Sequence, residues 1–285
     1  MDTTSLDLYA EALKENGWTV RRPKLRTRRK KNYYNRNGVI LWEGPSRFDG
    51  VMIVVIVTGL VKDTDNDKTG NELQVWVILR DVHPSEALRL GLDAAICWDC
   101  IHRPQSLHVP KGRVLPDRSC YVRMDPVTSV WKCYQRGNYR TLEEYPRAQA
   151  LMDGRMKRVT AYGDPAAVPV QVWIDFLRDD ERTGYTQQWR DNPELRTLVM
   201  ASCHTEQEAI EAWALGFRAF RDKEHGDPLL PGEFTCPASK EEGRRLNCES
   251  CGACNGNPND RGASVVIDVH GATAKHFNPR LPVLA

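Results

Sequence analysis

Hydrophobic residues are distributed along this chain in two different rhythms. The longest apolar run covers residues 51–60. A bilayer-spanning helix needs about 20 such residues, so this run reads as a strand buried on both faces. Residues 39–42 follow a turn at Asn37-Gly38 and read as a neighbouring strand, and 73–79 as another. Residues 84–90 read as a helix with Glu86 in its first turn. From residue 155 the rhythm alternates. A strand over 158–162 ends in the turn Gly163-Asp164-Pro165, and a helix follows over 169–177. Strands are predicted over 184–189 and 198–202, then a helix over 205–215 stopped by Gly216, then a strand over 217–221. Strand–helix–strand repetition predicts a parallel sheet with helices outside it. Successive right-handed crossovers favour a barrel-like α/β arrangement. No internal sequence repeat is visible.

The two ends of the chain differ from this middle. Residues 4–16 read as a short amphipathic helix, with Leu6, Tyr9, Ala10 and Leu13 on one face and Gly17 at the C-cap position. Residues 227–285 are rich in Pro, Gly, Asn and Cys, with one convincing strand at 265–269. The expected division is therefore an N-terminal helix and basic arm (1–50), an α/β core (51–226) and a cysteine-rich metal-binding segment (227–285). Residues 62–71 read as a polar loop. Asp63, Asp65 and Asp67 have the spacing of a calcium loop, but Lys68 stands where that loop requires glycine and no helix flanks it.

Charge changes the picture only locally. The formal net charge of the 285 residues is +2. Arg21, Arg22, Lys24, Arg26, Arg28, Arg29, Lys30 and Lys31 nonetheless crowd one short stretch, followed by Tyr33, Tyr34 and Arg36. Such a stretch can neutralise phosphates and stack bases, so nucleic acid is the expected partner, whether of an enzyme or of a non-enzymatic zinc-containing nucleic-acid-binding protein. The first residues carry early acidic groups and no apolar signal-type core, so the cytoplasm is the expected location, with no membrane contact.

Nine cysteines are present. An odd count without an export signal argues against a disulfide framework and for metal ligation. Cys248, Cys251 and Cys254 form C-x-x-C-x-x-C with Cys236 upstream. Gly252 and Asn255-Gly256 supply tight turns, and tetrahedral zinc draws its thiolates in at about 2.3 Å each. His270 is an alternative fourth ligand. An iron–sulfur cluster uses the same spacing. Cys97, Cys100 and Cys120, near His102, His108 and Cys133, form a second candidate metal site, whose three thiols would leave one position open.

In parallel α/β folds functional side chains collect at the C-terminal ends of strands. Asp164, held between Gly163 and Pro165, is the leading catalytic candidate there. Asp93 and Asp222 are further candidates. Tyr185, Gln187, Gln188 and Trp189 combine aromatic faces with amides and could hold a nucleobase. His204 and His225 read as structural or solvated. No nucleophile elbow, P-loop or dinucleotide fingerprint is present.

Several phrases resemble a protein family found mainly in phage genomes: Glu43-Gly44-Pro45-Ser46, Lys68-Thr69-Gly70, Ala161-Tyr162-Gly163-Asp164-Pro165, Thr183-Gly184-Tyr185-Thr186, Met200-Ala201-Ser202 and Cys236-Pro237-Ala238-Ser239. Residues 196–221 with the clustered cysteines behind them resemble, more distantly, the end of guanine transglycosylases. That resemblance implies a barrel, a zinc site of cysteines and a histidine, and an aspartate nucleophile acting on the sugar C1′ with a second aspartate on the base. Phage members of that family exchange guanine in double-stranded DNA for a 7-deazaguanine base. Here the zinc motif is spaced differently, and the family's aspartate–serine–glycine–glycine segment is absent. A rival resemblance is to radical S-adenosylmethionine enzymes, in which a cysteine triad on the first strand precedes a glycine–glutamate–proline segment. Here Cys97, Cys100 and Cys120 precede Gly163-Asp164-Pro165, without the family's C-x-x-x-C-x-x-C spacing.

Overall fold

The computed structural model describes residues 34–63, 66–243, 246–257 and 262–279. The basic stretch and the helix expected over 4–16 lie outside them. The described residues form a mixed α/β structure built on one 10-stranded sheet in the order β4-β1-β2-β3-β5-β6-β7-β8-β10-β9.

The core begins with β1 (Gly38–Pro45), β2 (Met52–Thr58) and β3 (Leu73–Leu79), paired antiparallel in sequence. In β2, Ile53, Val54, Val55, Ile56 and Val57 are all fully buried. Burial on both faces is why this strand reads as an unbroken apolar run rather than an alternating one. β4 (Arg140–Thr141) adds a short parallel edge to β1.

The remainder is parallel. From β3 the sheet continues through β5 (Lys157–Tyr162), β6 (Arg182–Thr186), β7 (Met200–Cys203) and β8 (Ala219–Lys223). β10 (Ser264–Asp268) pairs with β8, and β9 (Glu233–Thr235) forms the far edge. Each new strand through β8 is added on the same side, as right-handed crossovers require. The outermost strands are β4 and β9, and they are not paired with one another among the described residues. The expected α/β class with a largely parallel sheet is found, and closure into a barrel is not seen among the described residues. Strands on either side of residue 226 belong to this one sheet, since β10 lies between β8 and β9.

Seven α-helices are found among the described residues. α1 (Pro84–Leu90) is capped by His83, whose Nδ1 accepts from Ser85 N, and stopped by left-handed Gly91. α2 (Ala94–Cys97) follows directly, and α3 (Met124–Gln135) and α4 (Arg147–Met152) lead to β5. α5 (Val170–Leu177) turns Trp173, Phe176 and Leu177 into the core, and Trp173 Nε1 donates to Pro165 O at 2.9 Å. α6 (Glu206–Ala214) is capped by Thr205, whose hydroxyl accepts from Glu208 N. α7 (Cys248–Cys251) is a single turn capped by Asn247 and stopped by left-handed Gly252. The helices α2, α4 and α7 and the strand β9 are too short to show a periodic signature in the sequence, whereas α3 buries Val127, Val130 and Trp131 on one face and is an element the pattern reading passed over.

The C-terminal end of β5 is tightly shaped. Gly163 has φ +83°, and a Cβ there would lie 2.8 Å from Val77 Cβ and 2.9 Å from Val77 O. Only glycine fits. Thr160, within β5, has φ +62°. A β-branched residue in the left-handed region is strained, and such strain persists where the surroundings impose it, often at functional sites.

Candidate functional site

One face of the parallel strands opens onto a cavity of about 200 Å³. Alternate side chains project into it: Arg158, Thr160 and Tyr162 from β5, Thr183 and Tyr185 from β6, Ser202 from β7, Phe220 and Asp222 from β8, Val265 and Ile267 from β10. The sheet must curl around the cavity for strands so far apart in order to share it. The cysteine groups both reach this one cavity: Cys97, Cys100 and Cys120, and Cys236, Cys248, Cys251 and Cys254.

The first group lies at the mouth, beside the C-terminal end of β5. Asp164 N donates to Ile96 O at 2.6 Å, which sets the turn after β5 against the residue before Cys97. Cys120 N donates to His102 O at 3.1 Å, returning the long loop to Cys100. Arg103 braces the near side of the loop, with Nε and Nη2 on the two oxygens of Asp93 at 2.9 and 3.1 Å and a further bond to Gly91 O. Burial raises the Cys97 thiol well above its usual range, and the nearby Cys100, Asp93 and Cys120 add to this. Cys100 is raised by burial and then by Cys120.

The second group lies toward the N-terminal ends of β3, β5 and β6. Gly184 N donates to Cys254 O at 3.1 Å, Cys248 N to Lys68 O at 2.7 Å and Cys236 N to Val266 O at 2.7 Å. Arg218 holds the flanking loop by donating to Ala253 O at 3.0 Å and Gly256 O at 2.9 Å. The four sulfurs sense one another: Cys254 is raised first by burial, then by Cys236, Cys248 and Cys251. Burial pushes Cys248 up to about 11. His270 faces the same space, but its Nε2 meets Lys68 Nζ at 2.9 Å and its Nδ1 meets Asp268 O at 2.9 Å.

The tightest grouping of metal-ligating atoms among the described residues is neither cysteine set. It is His102, His204 and Asp222, whose ligand atoms all lie within 4.8 Å of one another. This is a candidate metal-binding triad of two histidines and a carboxylate. Asp222 bridges the pair: one oxygen meets His204 Nδ1 and the other meets His102 Nε2 at 3.2 Å. His204 Nε2 is held by Gln187 Oε1 at 2.7 Å, and His102 Nδ1 by Ser119 Oγ at 2.9 Å. Burial lowers the His204 imidazole, but the Asp222 carboxylate outweighs it and holds the ring above its usual range. Burial raises Asp222 in turn, and the two histidines overcome this and hold it well below the usual carboxylate range. No three cysteine sulfurs meet the same distance limit among the described residues.

The predicted carboxylates separate into three cases. Asp222 lines the cavity from inside β8. Asp164 lines it too, at the C-terminal end of β5, and also caps the 3-10 turn Pro165–Ala167. Its Oδ1 accepts from Ala166 N at 2.9 Å and Thr186 Oγ1 at 2.7 Å, and its Oδ2 from Gln187 N at 2.7 Å. Burial outweighs these bonds and raises its pKa to about 6. Asp93 is a correction. It is 1% exposed, does not line the cavity and is consumed by Arg103. It sits in a helix-to-helix turn rather than at a strand end, which the residue pattern around it did not reveal.

The base-stacking group also divides. Tyr185 and Gln187 line the cavity, with Tyr185 against Phe220 at 4.4 Å between ring centroids. Gln188 and Trp189 do not line it and are corrections. β6 ends at Thr186, so alternation stops there. Trp189 is 1% exposed, donates to Ser202 O at 3.0 Å and has Arg190 stacked over its ring. Gln188 is buried and donates to Asp99.

Several cavity residues escaped sequence reasoning: Lys68, Tyr121, Arg158, Tyr162, and the pairing of His102 with His204. Arg158 had a usable signal, because a cation inside an otherwise apolar strand needs a partner or a purpose. Lys68 had none, since its loop reads as solvated. Among the described residues no helix is long and apolar enough to cross a membrane. No family model matches this chain, and neither does any curated protein or solved structure.

Proposed function

We propose that this protein is an iron–sulfur enzyme of the kind that radical S-adenosylmethionine enzymes represent. One observation carries the reading. Cys97, Cys100 and Cys120 gather after the first parallel strand, β3, against Gly163-Asp164-Pro165 at the end of the next parallel strand, β5, at the mouth of a shared cavity. Three thiolates suit a cluster that keeps one iron free for a small molecule and supplies one-electron chemistry. The chain's own contribution is to bury the site, to fix Cys97 through Asp164 and Arg103, and to present Tyr185, Gln187 and Asp222 to whatever enters. Cys236, Cys248, Cys251 and Cys254 would form a second, closed site, for a further cluster or for zinc.

The test is anaerobic purification followed by iron, sulfide and zinc analysis and visible spectroscopy of the wild type and of Cys97→Ala and Cys248→Ala. Iron with acid-labile sulfide, reduced separately by each substitution, is the expected result. Equimolar zinc without iron in wild-type protein would overturn the reading.

A second reading, base exchange in double-stranded DNA by a zinc-containing transglycosylase, is favoured by a different observation. The Asp164 and Asp222 carboxylates line one cavity together with Tyr185 and Gln187. A carboxylate there could attack a sugar carbon and stabilise oxocarbenium-like charge. Incorporation of a labelled 7-deazaguanine base into DNA, lost in Asp164→Ala protein that remains folded, is its expected signature. No incorporation by wild-type protein would remove it.

A further inference from the structure

Two cations line the cavity without an ion pair among the described residues. Arg158 is 8% exposed and projects from β5 into the space between the cysteine groups. Its Nη2 donates to Tyr121 Oη at 3.0 Å, while its Nε is buried with no partner. Lys68 reaches the same region, with Nζ on His270 Nε2 at 2.9 Å and 5.9 Å from the centre of the Tyr121 ring. Neither forms an ion pair among the described residues. Glu72 acts on Arg158 and Glu241 on Lys68 through charge alone, with no ion pair or hydrogen bond joining either pair among the described residues. Glu72 is raised by burial above its usual range, one oxygen takes the Thr183 hydroxyl, and the other is without a partner.

A buried guanidinium without a counter-charge is costly, because the lost hydration is not returned by any protein partner. Such a group is retained where something else supplies the anion. The planar fork of Arg158 matches the two oxygens of a carboxylate or phosphate, and Lys68 adds a point charge beside it. The Tyr121 hydroxyl accepts from Arg158 and so keeps its own proton free to donate onward. Beyond this polar end the wall is apolar, with Phe220 and Val265 lining it.

We propose that Arg158 and Lys68, with Tyr121, form a binding site for the anionic head of a small molecule, a carboxylate or a phosphate attached to an apolar or aromatic body. The site does not depend on which metal the cysteines hold. Its competitor is a purely internal role, in which the two cations offset the negative charge of metal-bound Cys236 and Cys248. Those two thiols do act on Lys68: burial lowers it and they raise it in part.

The experiment is calorimetric titration of the metal-loaded full chain with benzoate and, separately, with inorganic phosphate. One of the two should bind saturably, and which one does identifies the head group. Arg158→Met and Lys68→Met should each weaken that binding about tenfold or more while metal content stays at the wild-type level. If Arg158→Met does not fold, Arg158→Lys, which keeps the charge and loses the fork, should still weaken it. Failure of wild-type protein to bind either anion overturns the proposal. So does binding that survives both substitutions, or loss of binding that only tracks loss of metal.

Discussion

The two cysteine groups share a cavity, yet they are built differently. The inner group has four thiols and is local. Cys248, Cys251 and Cys254 come from one turn and its exit, Cys236 from the end of β9, and their backbone is tied to β3's approach, β6 and β10. The outer group has three thiols, two from one turn and a third returned by a loop of some twenty residues, and its free side faces Asp164, His102 and the cavity. A closed donor set holds a fold together, whereas an open set can take a further ligand. On the reading proposed above, the four-thiol group would serve stability, and the three-thiol group would leave a position for chemistry.

The sharpest way to break this comparison is to remove one thiol from each group. Cys254→Ala should cost several kcal/mol and lower the melting temperature by roughly 10 °C or more, because metal affinity at a closed site is folding free energy. Cys100→Ala should shift it by only a few degrees while abolishing any activity that depends on the outer metal. Equal losses of stability, read by calorimetry, would show that both groups are structural.

A control away from both groups comes next. Lys157 Nζ, fully buried, is satisfied by Phe176 O at 2.8 Å and by Asp180. Asp180→Asn leaves that ammonium without its counter-charge and should cost about 3 kcal/mol in chemical denaturation. Burial pushes the Asp180 carboxyl up, but the bonds from Lys157 and Gly154 N and the charges of Lys157 and Arg178 together outweigh it, and the net shift is downward. Its stabilisation is therefore present above its unfolded pKa and is lost as pH falls through the lower folded value. The variant should show a flatter acid limb, with metal content unchanged in both groups.

Gly163→Ala should cost about 2 kcal/mol, from a positive φ combined with a clash against Val77. It displaces Asp164 and its bond to Ile96, so the outer metal should be held more weakly and the inner one as before. Metal analysis after dialysis distinguishes the two. The smallest effect is on pH dependence. The thiols are raised by burial, so metal binding must displace protons and affinity rises with pH. On lowering the pH, the outer group, with fewer donors, should release its metal first.

The elements read from periodicity survive with shifts of a residue or two. β3 and α1 coincide with their expected spans, and β5, α5 and α6 differ only at the ends. β6 is the instructive exception. It begins and ends earlier than the pattern implied, so Gln188 and Trp189 fall outside the strand and enter the core instead of the cavity. Asp222 shows the opposite shift, since β8 runs to Lys223 and carries it inward. An aspartate at a strand end and one inside a strand look alike in sequence, because one residue of register decides which face a side chain occupies.

The α/β rhythm, the buried β2, the turn glycine at position 163 and the two cysteine sets are all legible along the chain. Each of these depends on near neighbours in the chain: side-chain period, backbone freedom, or spacing across a turn. It took the folded chain to show that both sets open on one cavity, that His102 and His204 converge on Asp222, that Asp93 is spent on Arg103, and that Lys68 and Arg158 line that cavity with no ion pair among the described residues. Those facts arise from strands far apart in sequence curling around a common space. No local pattern records which distant side chains will meet there.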